Sequence, residues 1–63
     1  MNSIERLKER VKQLRHKNGW TQEELARIIG VSLSTIQRWE KRGGRPTLLL
    51  RRELTKLFKE NGV

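Results

Sequence analysis

Residues 21–42, which read TQEELARIIGVSLSTIQRWEKR, decide the fold of this 63-residue chain. Thr21 and Glu24 have the spacing of a capping box, in which each side chain accepts a hydrogen bond from the backbone N–H of the other residue. Trp20 and Leu25 can add a hydrophobic staple across the same helix start. The pattern predicts a helix over Gln22–Ile29 and gives Trp20 a structural role.

A second helix is predicted directly after the first. Gly30 can take the left-handed conformation that a helix exit usually needs, and Val31 fills the turn. Ser32 can then cap a helix that runs from about Leu33 to Lys41. Because only two turn residues separate the helices, their axes must cross steeply, which predicts a helix-turn-helix.

The two sides of this second helix differ in chemistry. With Ile36 as the core reference and a step of about 100° per residue, Trp39, Glu40 and Leu33 fall within about 60° of it. The opposite side carries Ser34, Gln37, Arg38 and Lys41. These hydroxyl, amide and cationic groups can hydrogen-bond to base edges and phosphates, although a plain solvated face has similar chemistry. The short turn before the helix and the basic residues after it favour DNA.

The chain is strongly basic, with 15 Lys and Arg residues, 7 acidic residues and a net charge of +8. Between Arg38 and Arg52 there are six basic residues and a single acid, Glu40. Solubility alone can account for a high charge, but its concentration in one segment predicts a polyanionic partner. Binding would then depend strongly on salt, because neutralised phosphates release counterions.

Composition excludes several other classes of function. The chain has no cysteine, aspartate or tyrosine and a single histidine, so disulfide scaffolds, thiolate zinc sites and aspartate-containing triads are excluded. No apolar run is long enough to cross a membrane, and the polar N-terminus does not resemble a signal peptide. We therefore expect a cytoplasmic protein without enzymatic activity, cofactor or metal.

The first helix is predicted to begin near the N-terminus, with Asn2 or Ser3 as its cap and Asn2 paired with Glu5 in a capping box. Asn18 and Gly19 end it. Its narrow apolar stripe lacks an aromatic anchor, which favours a supporting helix over a membrane-surface helix. The stripe consists of Ile4, Leu7, Val11 and Leu14.

The last helix is predicted to start after Pro46, with Thr47 as its N-cap. It carries more large apolar residues than one helix of a small monomeric domain usually hides, so core packing and contact with another chain both stay open. We expect residues 61–63 to fray. The apolar set is Leu48, Leu49, Leu50, Leu54, Leu57 and Phe58.

Residues 41–45, which read KRGGR, form the predicted connection to the last helix. Two adjacent glycines allow backbone amides to approach a phosphate closely, although the P-loop pattern is absent. Glu40 is the acid next to this connection. We hypothesise that its carboxylate holds the loop in place.

The run WTQEELARIIGVSLSTIQRWE over residues 20–40, followed by a basic glycine loop and RPT, closely resembles the phage-repressor and Cro-like (XRE) helix-turn-helix family. The TQxxLA, GVS, TI and WE elements occur together in the right register. The resemblance implies an all-α, lambda-repressor-like bundle of four helices, with the fifth helix usual in the family left open. It also implies binding to double-stranded operator DNA, commonly as a homodimer on a pseudo-palindromic site.

The resemblance implies roles for individual residues as well. Positions that such proteins direct at bases correspond to Leu33, Ser34, Gln37 and Arg38. Leu33 is apolar where a polar residue often stands, so it either touches a thymine methyl group or packs. The positions expected to contact the DNA backbone include Lys41, which lies on the exposed side of the helix. The full set is Gln22, Thr35, Lys41, Arg42, Arg45 and Thr47.

We therefore predict that residues 1–63 form a single DNA-binding domain, a transcriptional repressor or regulator of phage, plasmid or toxin-antitoxin type. The alternative is a protein-interaction module, antitoxin-like or adaptor, that binds a protein partner through the leucine-rich last helix. An RNA-binding role is disfavoured, because the chain lacks a surface strip of aromatic residues for stacking single-stranded bases.

Overall fold

The computed structural model of the chain describes residue 4 and residues 6–63. Within these residues it contains four α-helices and no strand, which confirms the predicted all-α fold. The α2 helix has the predicted bounds, and α3 is one residue longer than predicted. The helices are α1 (Leu7–Asn18), α2 (Gln22–Ile29), α3 (Leu33–Arg42) and α4 (Leu48–Glu60).

The α1 helix begins later than the sequence predicted. Arg6, directly before it, has a left-handed backbone (φ 60°) and provides no side-chain cap, so the helix cannot extend back to Ile4. Ile4 is nevertheless buried in the core together with the three apolar residues of α1. The predicted caps at Asn2, Ser3 and Glu5 lie outside the described residues.

One hydrophobic core joins the four helices. Both α1 and α2 pack against α3, while α4 packs against α1 and α2. Trp20 lies at the edge of this core, as its structural role predicted. The buried apolar residues are Ile4, Leu7, Val11, Leu14, Leu25, Ala26, Ile36, Trp39, Leu54 and Phe58.

The turn between α2 and α3 follows from local signals. At the start of α2, Thr21 Oγ1 accepts from the Glu24 N–H at 3.0 Å, and Glu24 Oε1 accepts from the Thr21 N–H at 2.8 Å. At its end, Gly30 is left-handed (φ 87°), and the N–H groups of Gly30 and Val31 both donate to the Ala26 carbonyl. These bonds confirm the predicted capping box and turn.

Residues 61–63 do not fray but complete the C-terminal cap of α4. The Val63 N–H donates to the Phe58 carbonyl at 2.8 Å, the six-residue bond of a Schellman motif. From α1, Arg10 donates to the Val63 carbonyl at 3.1 Å and lies 4.4 Å from the centre of the Phe58 ring, while Lys17 donates to the Asn61 carbonyl. The prediction of fraying was wrong, because local composition does not reveal these contacts from a distant helix.

Candidate nucleic-acid interface

The inner face of α3, formed by Ile36, Trp39 and Glu40, is fixed in the protein. Ile36 and Trp39 are 0% and 2% exposed, so two large apolar side chains anchor the helix in the core. Glu40 is only 5% exposed, and a carboxylate at such a position needs hydrogen-bonding partners. The position and orientation of α3 are therefore set by three buried residues between positions 36 and 40.

The partners of Glu40 come from both neighbouring helices. Arg15 of α1 binds it in a bidentate manner, with Nε 2.7 Å from Oε2 and Nη2 2.9 Å from Oε1. Gln22 of α2 donates from Nε2 to Oε1 at 3.2 Å. One carboxylate thus joins α1, α2 and α3, and we call these three residues the Glu40 network.

The hypothesis that Glu40 holds the KRGGR loop is wrong. Its side chain lies on the inner side of α3, towards α1 and α2, whereas the loop leaves the end of the helix. Nothing in the local spacing indicated Arg15, which lies 25 residues away. The sequence did place an acid, Glu40, on the core-facing side of the helix. A buried acid requires a hydrogen-bond donor, but the sequence pattern does not identify which residue donates.

The network also changes the acidity of Glu40. Burial disfavours the charged form, but the hydrogen bonds from Arg15 and Gln22 and the nearby positive charges of Arg15 and Lys12 outweigh it and lower the pKa of Glu40. The same hydrogen bond raises the pKa of Arg15. Both groups therefore stay charged at neutral pH, and the pair is kept as an ion pair inside the fold.

The outer face of α3, formed by Ser34, Gln37, Arg38 and Lys41, is exposed. In the part of the chain that the structure describes, Gln37 and Arg38 make no hydrogen bond or ion pair. Spacings of three, four and seven residues place all four side chains on one helix side. Two long polar side chains with free hydrogen-bonding groups are therefore presented next to each other.

The hydroxyl groups at the start of α3 are organised around its N-cap. Ser32 Oγ accepts from the Thr35 N–H at 3.2 Å and lies 3.0 Å from Ser34 Oγ and 2.9 Å from Thr35 Oγ1. Thr35 is half-buried, and Leu33 beside it is 38% exposed. Each hydroxyl has one donor and two acceptor positions, so Ser34 and Thr35 keep capacity for a further partner.

Two cationic side chains are found where α3 ends: Arg42 is the last residue of the helix, and Arg45 lies in the loop that follows it. Arg42 and Arg45 are exposed. Gly43 and Gly44 have φ angles of 76° and 143°, which only glycine adopts readily, and a side chain at Gly44 would contact the edge of the Trp39 ring. The Gly43 N–H donates to the Trp39 carbonyl at 2.9 Å, so this amide closes the helix and is not a free phosphate donor.

Thr47 has the capping role that the sequence predicted. Its Oγ1 accepts from the Leu50 N–H at 3.4 Å, which leaves its own O–H free to donate. Gln22 is half-buried and uses one of its two amide hydrogens for Glu40, so the other remains. Both side chains thus combine a structural bond with a spare donor.

Among the residues that the structure describes, no group of three or more His, Cys, Asp or Glu side chains is placed to hold a metal ion. None of the described helices combines the length and apolar character that crossing a membrane demands.

Comparison with known proteins identifies the class of this fold. A family model described as helix-turn-helix matches residues 11–59, which includes α2, α3 and most of the two outer helices. The chain belongs to the XRE-type helix-turn-helix family. The resemblance carried by residues 20–47 is thereby confirmed.

Three relatives agree with this assignment. An uncharacterized HTH-type transcriptional regulator of Bacillus subtilis, YgzD, is 38% identical over 52 residues, which cover 82% of this chain and 79% of that protein. A provisionally named HTH-type transcriptional regulatory protein of Pyrococcus abyssi is 43% identical over 51 residues, which cover 81% of this chain. Its counterpart in Pyrococcus furiosus is 38% identical over 52 residues, which cover 82%.

The two Pyrococcus relatives are much longer than this chain, which spans only 16% of the length of each. The shared part is therefore the helix-turn-helix domain alone. No solved structure gives a significant match to the chain.

Proposed function

We propose that this helix-turn-helix protein regulates transcription by binding double-stranded DNA, with the outer face of α3 in the major groove. The observation that carries the proposal is the contrast within α3. Its inner face is fixed by the core and the Glu40 network, while Gln37 and Arg38 have no hydrogen-bond partner among the described residues. The names of the relatives as HTH-type transcriptional regulators support it.

Base recognition is assigned to the predicted set Leu33, Ser34, Gln37 and Arg38. Arg can bind guanine and Gln can bind adenine through two hydrogen bonds in the major groove. Leu33, at 38% exposure, offers apolar surface to a thymine methyl group. A helix of ten residues is about 15 Å long and fits a groove about 12 Å wide.

Contacts with the DNA backbone are assigned to residues around that helix. Lys41, Arg42 and Arg45 supply positive charge from exposed positions. Gln22, Thr35 and Thr47 supply the donors that their structural bonds leave unused. In this arrangement phosphate contacts fix the orientation of the protein, and the outer face of α3 reads the sequence.

A role as a repressor or regulator of phage, plasmid or toxin-antitoxin type is part of the proposal and rests on the family resemblance. The role requires access to DNA, which places the protein in the cytoplasm, and it requires no catalysis. A homodimer would contact two DNA half-sites, since two-fold related proteins recognise half-sites about one helical turn apart.

One observation favours an additional protein contact. Of the six apolar residues in the last helix, four pack in or against the core, whereas Leu48 and Leu49 are 50% and 73% exposed. Core packing therefore accounts for most, but not all, of the leucine-rich surface. A partner chain that covers Leu48 and Leu49 would account for the rest, whether a second copy or a different protein.

Fluorescence anisotropy with a labelled mixed-sequence duplex tests the proposed DNA binding. If about six phosphates are contacted, the affinity should fall about a thousandfold between 50 and 200 mM salt. Absence of binding at low salt, or an affinity that does not respond to salt, contradicts the proposal. Light-scattering mass with and without DNA then reports whether one or two chains are bound.

A further inference from the structure

A second surface lies on α4 and is separate from the outer face of α3. It is a groove of about 620 Å³ between α4 and Ile4, which lies three residues before the start of α1, and no residue of α3 lines it. Its described lining residues are Ile4, Arg51, Arg52, Thr55, Lys56 and Lys59.

The groove combines positive charge with carbon surface. Within the described residues, Arg52, Lys56 and Lys59 form no ion pair or hydrogen bond, and the acids of α4, Glu53 and Glu60, do not line the groove. Its walls are mainly apolar, as expected where Ile4 and the alkyl stems of long cationic side chains meet.

Leu48 extends this surface towards the start of α4. It lies seven residues before Thr55, which is about two helical turns, so both project from the same side of the helix. Leu48 is half exposed, which makes it an apolar contact point on the same helix as Arg52, Lys56 and Lys59. The surface therefore has an apolar contact point, Leu48, near the start of α4 and positive charges further along the helix.

We propose that this α4 groove binds an acidic amphipathic helix of a partner protein. Such a segment would place its apolar side chains against Leu48 and the groove walls and its carboxylates beside Arg52, Lys56 and Lys59. A DNA backbone offers charge but little apolar surface for these walls. A small organic anion would be poorly enclosed, because the groove is open to solvent on one side.

The occupant would reach the protein without covering the outer face of α3. The groove thus provides a place where a second protein can be recruited to the DNA-bound domain. This inference goes beyond the proposed DNA binding and does not depend on it, since the groove residues and the α3 residues are different.

The test uses the full chain and two synthetic peptides, measured in the absence of DNA. One peptide of about 15 residues is a helix of Glu, Leu and Ala with leucines on one side and glutamates flanking them, and the other has the same composition in scrambled order. In ¹H–¹⁵N NMR titrations the amphipathic peptide should shift the amides of Leu48, Arg52, Thr55, Lys56 and Lys59. The amides of Gln37 and Arg38 should not move.

Two matched double variants locate the site. Lys56→Glu/Lys59→Glu should weaken the amphipathic peptide about tenfold, because attraction at two groove positions becomes repulsion. Lys8→Glu/Arg27→Glu makes the same change in net charge at exposed positions outside the groove and should weaken it much less. All four positions are exposed, so both variants should fold.

Several outcomes overturn the inference. Equal binding of the scrambled peptide, or equal weakening by the two double variants, means that only net charge is sensed. Shifts confined to α3, or no shifts at millimolar peptide, mean that the groove does not bind such a helix. If a mixed-sequence duplex shifts the groove amides and the peptide does not, the groove is a phosphate-contacting surface instead.

Discussion

The two faces of α3 differ in burial and in hydrogen bonding. On the inner face Ile36 and Trp39 are buried, and the polar group of Glu40 is satisfied by Arg15 and Gln22. On the outer face Gln37 and Arg38 are exposed and make no hydrogen bond or ion pair with the rest of the described chain. The helix therefore has a fixed position and a free surface.

The contrast explains why a small chain can present a surface for recognition. Side chains without partners inside the protein cost little stability, provided that the opposite face of their helix is packed in the core. Substitutions on the inner face should therefore lower stability, and substitutions on the outer face should change binding only. The following predictions test this division, from the largest expected effect to the smallest.

Trp39→Ala should have the largest effect. It removes a side chain that is 2% exposed, and such a cavity costs about 3 to 5 kcal/mol of unfolding free energy. Urea denaturation followed by circular dichroism measures the change. Leu49→Ala, at a position 73% exposed, is the control and should change the unfolding free energy by less than about 0.5 kcal/mol.

Arg15→Ala should cost about 2 to 3 kcal/mol of unfolding free energy, because it leaves a nearly buried carboxylate without its cation. The value is below that of a fully buried pair, since Arg15 is 18% exposed. In Arg15→Met/Glu40→Leu both charges are gone, and part of the loss should be recovered. A double variant less stable than Arg15→Ala would show that the carboxylate is not the source of the cost.

Arg38→Ala should leave the unfolding free energy within about 0.5 kcal/mol of the original, because Arg38 has no partner in the described chain. It should reduce the affinity for a preferred DNA site by about 1 to 3 kcal/mol and relax the preference at one base pair. Competition between preferred and mixed-sequence duplexes measures both. Equal losses on the two duplexes would contradict the assignment to base recognition.

The stabilising effect of the Glu40 network should disappear in acid. The pKa of Glu40 is lowered in the folded protein, so its contribution is complete above the ordinary glutamate value of about 4.3 and is lost as the pH falls through the lower folded value. The unfolding temperature of Glu40→Gln should therefore be lower than that of the original protein at pH 7. The difference between the two temperatures should shrink below about pH 4. Glu53→Gln, at an exposed position, serves as the control.

Arg45→Ala should have the smallest effect. Arg45 is exposed in the loop after α3, where a lost phosphate contact weakens all duplexes alike. The salt slope of log affinity should fall by about one, while sequence preference stays unchanged. Lys8→Ala removes one charge from α1 and should leave the slope nearly as it was. A change in sequence preference with Arg45→Ala would place this residue among the base contacts.

The parts of the fold that depend on local chemistry could be predicted from the sequence. The bounds of α2 follow from Thr21, Glu24 and Gly30, whose hydrogen bonds form within a few residues. The inner face of α3 follows from the 3.6-residue period. The residues proposed to contact DNA rest mainly on the family resemblance, with only the exposed side of α3 following from the helix period, and they stay predictions until binding is measured.

The parts that were missed depend on contacts between distant segments. Arg15 reaches Glu40 across 25 residues, and Arg10 holds the Val63 carbonyl across 53. The left-handed Arg6, which delays the start of α1, has no composition signal because arginine is a good helix former. Pattern and capping rules describe one element at a time, so they cannot supply such pairs.

Selection of bound sequences from a pool of random DNA duplexes tests the central claim most directly. The original protein should enrich a short motif, and Arg38→Ala should lose the preference at one position of that motif while retaining the others. Enrichment of no motif, or an identical motif from both proteins, would contradict the claim that the outer face of α3 reads DNA bases.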